Sequence, residues 1–396
     1  MLLKKGKLIM IFLCLLVWHT HGQQNLDFSG AQGTISPQVH ANNDVTFTLH
    51  APHADTVYLQ GDWMKPEGWA PGKVLMTKDD KGVWSHTAKS LGADLYMYNF
   101  IVDGIKIVDP NNVYQIRDIS NLFSIFITNG EQSSLYKVND VPHGTVSRIW
   151  YDSPTLGMNR RLTVYTPPGY EFSGKEYPVL YLLHGVGGDE EAWISLGRTA
   201  QILDNLIAAG KAKPMLVVMT NGHTSNQAAP GESSKGLYKP VMRTPDVGSG
   251  AMESSFEDVI KFVEKTYRVK PNKQARAIAG LSMGGSHTLF IAANLNNTFD
   301  YVGLFSAAYR LNKADDPNQP QIYANFERNL ELQQKNGVKL YWVGMGKTDF
   351  LYQVGKDYRK LLDDKGIKHV YRESEGGHTW ANWRLYLSEF VPLLFK

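Results

Sequence analysis

The chain has 396 residues, enough for two or three domains at roughly 100–200 residues each. It is 43% hydrophobic, 11% aromatic and 20% charged, which fits a globular protein and excludes a disordered or fibrous one. The formal charge of +3 is carried by Lys4, Lys5 and Lys7, in a leader without acids. The chain beyond that leader is formally neutral, so charge gives no support to a nucleic-acid or membrane-surface role.

The leader reads as a secretory signal peptide over residues 1–23. A positive stretch precedes an apolar run, Leu8 to Trp18, that is too short to span a bilayer. Small and polar residues follow: Thr20, Gly22, Gln23. Cys14 is the only cysteine and lies inside the run, after Leu13, where a lipoprotein signal would want a small residue. The mature chain would then need no disulfide. The expectation is a secreted or periplasmic protein, with no membrane association once the leader is removed.

Residues 24–137 read as all-β. Alternating runs recur at Val45–Leu49, Thr56–Leu59, Val83–Thr87, Leu95–Val102 and Ser124–Thr128, with turn residues between them. This spacing predicts an immunoglobulin-like β-sandwich. Residues 138–396 change style. Apolar strand-like runs at Leu162–Tyr165, Pro178–Leu183, Met215–Met219, Ala275–Ala279, Tyr301–Phe305, Lys339–Val343 and His369–Glu373 are separated in several places by helical patterns. The longest of these are Thr199–Ala209, Phe256–Tyr267, Ser286–Leu295, Tyr352–Lys365 and Trp383–Leu394. Strands alternating with helices predict an α/β domain with a mostly parallel sheet covered on both faces. The change of grammar near residue 138 suggests two separable domains.

The strongest chemical signal is Gly280-Leu281-Ser282-Met283-Gly284, which follows a strand and opens a helix. That is the setting of a nucleophile elbow, whose sharp turn needs nearly side-chain-free residues two before and two after the serine. Serine is a weak nucleophile and needs a base oriented by an acid. In the chain order Ser, Asp/Glu, His, three histidines follow Ser282. His287 lies on the same helix and points away from the elbow, and His369 begins a strand. His378 lies in a loop before the last helix, where the base belongs. Asp349, after the strand Lys339–Val343, is the expected acid, with Glu373 and Glu375 as competitors close in sequence to His378. An oxyanion hole needs two backbone N–H donors. Met283, after the nucleophile, supplies one. The loop His184-Gly185-Val186-Gly187-Gly188 offers the other at Val186. No His, Cys, Asp and Glu cluster has zinc spacing, so no metal is expected.

Three strings carry a resemblance: Leu182 through Trp193, Gly280 through Gly285, and Gly377-His378-Thr379-Trp380 with Trp383-Arg384. They resemble carbohydrate esterase family 1, which includes feruloyl and acetylxylan esterases and is similar to the enterochelin esterases and esterase D. The resemblance spans about residues 140–396. It implies the α/β-hydrolase fold, a serine esterase mechanism on Ser282, Asp349 and His378 with Val186 and Met283 as oxyanion donors, and no cofactor. The first half resembles a carbohydrate-binding module of family 48, on Val57 through Trp63, Tyr96 through Gly104, and Asp109-Pro110. Trp63, Trp69 and Trp84 are candidates to stack on sugars there, or to fill its core.

The expected function is a secreted serine esterase that acts on plant cell-wall polysaccharide and releases ferulate from arabinoxylan. Its expected partners are polysaccharide or oligosaccharide esters. Trp193 and Trp380 are expected to line the acyl pocket, where an aromatic group would bury well. The alternatives are xylan deacetylation, siderophore-ester hydrolysis and a non-catalytic glycan-binding protein.

Overall fold

The computed structural model describes residues 35–309 and 319–396, apart from Glu67 and Trp69. The expected leader and Trp69 lie outside the described residues.

The first part is two sheets face to face. One has the order Gln38–Val39, Val45–His50, Val83–Ala88, Thr77–Lys78. The other runs Lys73–Leu75, Val57–Gly61, Leu95–Val102, Asn121–Ile127, Gln115–Asp118, with Ile105–Ile107 paired to Leu95–Val102. Alternation does the work. Val45, Phe47 and Leu49 turn inward from one strand and meet Val57, Leu59, Tyr98 and Phe100 from the facing sheet. Trp84 belongs to this core, with its indole N–H donated to the Ala51 carbonyl at 3.0 Å. Trp63 stacks on Phe47 at 5.5 Å and meets Tyr96 and Phe126 edge-on, which makes it part of the same packing.

The second part is one eight-stranded sheet, in the order Thr145–Ser153, Met158–Thr166, Leu216–Thr220, Val179–Leu183, Arg276–Leu281, Tyr301–Phe305, Leu340–Gly346, Val370–Ser374. The first two strands are antiparallel and the rest run parallel. The central strands Val179–Leu183, Leu216–Thr220 and Tyr301–Phe305 are buried along their whole length, as a sheet covered on both faces requires. Ala251–Thr266 and Met283–Asn294 pack into one apolar layer, and Thr199–Ala208 and Trp380–Phe390 into the other. This is the α/β-hydrolase arrangement, with the functional loops at the C-terminal ends of the parallel strands.

The two parts share a core. Leu95, Ile116, Ile125 and Tyr136 belong to the same apolar cluster as Trp193, Leu196, Trp380 and Trp383. Arg384, 1% exposed, reaches across with its guanidinium to the Asp94 carboxylate at 2.9 Å and the Leu95 carbonyl at 2.7 Å. Residues 35–396 accordingly form one compact unit.

Candidate active site

Ser282 stands between strand Arg276–Leu281 and helix Met283–Asn294, at φ 51° and ψ −115°. A non-glycine residue at this conformation is strained, and the strain is held by bonds on both sides. The Ser282 N–H donates to the Phe305 carbonyl at 2.9 Å, and its carbonyl accepts from Ala308 at 3.0 Å and Ser286 at 3.1 Å. Both flanking glycines are sterically required. A Cβ on Gly280 would lie 2.3 Å from the Gly284 carbonyl oxygen, and one on Gly284 would lie 2.4 Å from that of His184. The elbow is therefore packed directly on the loop that follows Val179–Leu183.

His378 Nδ1 lies 3.0 Å from Asp349 Oδ2 and 3.1 Å from Oδ1. The Asp349 side chain is fully buried and also accepts the Leu351 N–H at 2.8 Å. A buried carboxylate on Nδ1 fixes the tautomer and leaves Nε2 free to take a proton. The competing acids are occupied elsewhere. Glu373 accepts from Tyr352 at 2.7 Å and Tyr371 at 3.1 Å, while Glu375 pairs with Lys347 at the surface. His287 is buried beside Gly222, where burial lowers its pKa. His369 is tied to the Ile367 carbonyl at 2.9 Å.

The loop from His184 to Gly188 is held by two buried histidines. His184 Nε2 accepts the Gly222 N–H at 2.7 Å, and its Nδ1 is 2.6 Å from the Gly185 carbonyl. His223 Nε2 accepts the Gly187 N–H at 3.0 Å, and its Nδ1 is 2.7 Å from the Thr244 hydroxyl. Both rings must be neutral to accept these amides. Burial enforces this, holding His184 well below the usual imidazole range and His223 down to about 4. Gly188 N–H bonds back to the Gly185 carbonyl at 3.2 Å. Between these amides, the Val186 N–H has no bonded acceptor among the described residues. Met283 opens its helix, so its N–H has no intrahelical acceptor.

The expected acyl-pocket tryptophans are a correction. Trp193 is 1% exposed, and its indole N–H is used by the Leu183 carbonyl at 2.9 Å. Trp380 is 8% exposed and packed edge-on between Trp193 at 5.3 Å and Trp383 at 5.1 Å. Both fill the layer under the site, because their helices bring them onto the sheet rather than over it. The aromatic side chains against His378 are others. Trp383 meets His378 edge-on at 4.9 Å, and Phe350 meets it at 4.5 Å. Met242, 56% exposed, reaches the loop from His184 to Gly188, its Sδ 3.2 Å from where Gly187 would carry a Cβ. Sequence reasoning missed Phe350, although it directly follows Asp349. Nothing local marks Met242, which arrives on a long loop.

The model of the Esterase family matches residues 153–394. The chain belongs to that family. Residues 34–114 of this esterase match carbohydrate-binding module 48, the isoamylase N-terminal domain. An endo-1,4-beta-xylanase/feruloyl esterase of Xylanibacter ruminicola is 29% identical over 372 residues, 92% of this chain and 46% of that protein. An esterase of Mycobacterium tuberculosis is 30% identical over 74% of this chain and 56% of its own length. The chain thus spans about half the length of these curated relatives. Among solved structures, a ferulic acid esterase is 26% identical, with a TM-score of 0.51 over 63% of this chain and 97% of its own. The enterobactin esterase of Shigella flexneri, at 15% identity, shares the fold with a TM-score of 0.62 over 88% of this chain and 92% of that one. An esterase-family domain behind a family-48 carbohydrate-binding module is thus found where the sequence suggested both.

Proposed function

We propose that this protein is a secreted serine esterase that removes ferulate from arabinoxylan of the plant cell wall. Ser282 Oγ attacks the ester carbonyl and His378 takes its proton. The oxyanion forms against the Val186 and Met283 amides. Collapse breaks the ester C–O bond and the departing sugar oxygen takes from His378 the proton that came from Ser282. Water, deprotonated by His378, then frees the acid and regenerates Ser282. Asp349 holds the imidazole and stabilises its cation. The single observation that carries this reading is the buried Asp349–His378 pair in a chain whose elbow serine is held at φ 51°.

The acyl group is assigned from Phe350 and Met242. Phe350 is 59% exposed beside the base, and Met242 lies against the oxyanion loop. A planar aromatic acid can use both surfaces, whereas an acetyl group has too little area to reach them. Similarity to the endo-1,4-beta-xylanase/feruloyl esterase of Xylanibacter ruminicola and to the ferulic acid esterase structure supports the same choice. The test is kcat/KM for methyl ferulate against an acetylated xylo-oligosaccharide. The ferulate ester should be preferred; faster turnover of the acetyl substrate would make the protein an acetylxylan esterase.

A further inference from the structure

The hairpin of the sandwich nearest the site is built at a conformational cost. Strands Gln115–Asp118 and Asn121–Ile127 are joined by Ile119 and Ser120, with Asp118 paired to Asn121. A two-residue hairpin turn calls for a positive φ at its first central residue, a position that favours glycine. Here a β-branched residue takes it, Ile119 at φ 55°. Such strain persists only where the surroundings over-determine it.

Those surroundings are the oxyanion loop. Ile119 Cγ1 and Cδ1 each lie 2.9 Å from the point where a Cβ on Gly187 would stand, on a glycine whose own φ is 78°. Arg117 locks the turn from behind. Its Nη1 donates to the Ile119 carbonyl at 2.8 Å and its Nη2 to Asp189 Oδ2 at 2.6 Å. Asp189 is itself fixed, accepting the Glu191 N–H on Oδ1 at 3.0 Å and the Ala192 N–H on its carbonyl at 3.1 Å. One hairpin of the sandwich therefore touches Gly187 and Asp189 together. Val186, whose amide faces the developing oxyanion in the proposed mechanism, is the next residue. A donor of this kind is effective only when held in place before the charge appears.

We propose that Ile119 and Arg117 are positioning residues of the oxyanion loop, so that the sandwich takes part in ester cleavage itself and not only in holding polymer. The proposal rests on the esterase reading of Ser282 and Val186. It is tested in the full chain with methyl ferulate, which has no glycan for the sandwich to bind. Ile119→Ala and Arg117→Met should each lower kcat about tenfold or more with KM within about twofold, the mark of an interaction lost in the transition state. Ile119→Val, which keeps Cγ1 and the β-branch, and Arg117→Lys, which keeps the charge toward Asp189, should recover part of kcat, and melting temperatures measured alongside exclude unfolding as the cause. Wild-type kcat in Ile119→Ala and Arg117→Met would overturn the proposal, all the more if release from polymer fell, since the hairpin would then be a glycan contact. A wild-type protein inactive on every ester is a different result and would remove the esterase reading instead.

Discussion

The rings of Phe350 and His378 lie 4.5 Å apart, centre to centre, while 59% of Phe350 stays exposed. Such exposure, next to the base, is suited to meeting a substrate ring. Phe350→Ala should lower kcat/KM for methyl ferulate about two- to tenfold, the worth of one aromatic contact, and leave a p-nitrophenyl acetate rate within about twofold. Equal losses on the two esters would mean that Phe350 serves the imidazole rather than the acyl group.

The acid is the next point. Asp349→Asn presents an amide to His378 Nδ1 and favours the wrong tautomer, so kcat should fall roughly 10³- to 10⁴-fold. Glu375→Gln should stay near wild type, because Glu375 pairs with Lys347 at the surface. The reverse pattern would move the acid to Glu375.

His223 makes a prediction about pH. Its pKa is lowered to about 4 by burial, below the ordinary value of 6.5, and its neutral ring accepts the Gly187 amide. Between those two values the unfolded chain binds the proton and the folded chain does not. Stability contributed here is therefore complete above about pH 6.5 and is lost as pH falls to about 4, by about 3 kcal/mol. His223→Gln should flatten the fall of Tm with pH across that window. An unchanged slope would show that His223 is not the group responsible.

Removing residues 24–137 should cost the esterase domain its stability. The cut strips Leu95, Ile116, Ile125 and Tyr136 from the cluster around Trp193 and leaves buried Arg384 without the Asp94 and Leu95 oxygens. The apolar surface uncovered around Trp193 and Trp383 adds to that cost at roughly 25 cal/mol per Å² exposed. Thermal melting of the shortened chain should show a large drop in Tm, with activity on small esters lost as well. A shortened chain with unaltered Tm and kcat would show that the shared core contributes nothing.

What the sequence made legible follows from how local each signal is. Gly280 and Gly284 betray the elbow because the sterics operate within five residues. Asp349 and His378 could be placed by strand order, and the structure brings them within hydrogen-bond distance. The strand Gln115–Asp118 was missed because its polar residues, Gln115, Arg117 and Asp118, do not read as a strand, and only its pairing with Asn121–Ile127 makes it one. The tryptophans were misread for the opposite reason. A tryptophan near a catalytic loop in sequence says nothing of whether its helix turns it over the site or beneath it, and Trp193 and Trp380 lie beneath. The joining of the two parts was equally hidden, since Arg384 and Asp94 are 290 residues apart.

The most direct measurement of the central claim is ferulate release from wheat arabinoxylan, with acetate release from acetylated xylan quantified beside it, for the wild-type protein and for Ser282→Ala. Ferulate should be freed by the wild type far faster than acetate, and Ser282→Ala, folded to the same Tm, should fall by several orders of magnitude. Ferulate release that survives in Ser282→Ala would contradict the account, whatever the acetate assay shows.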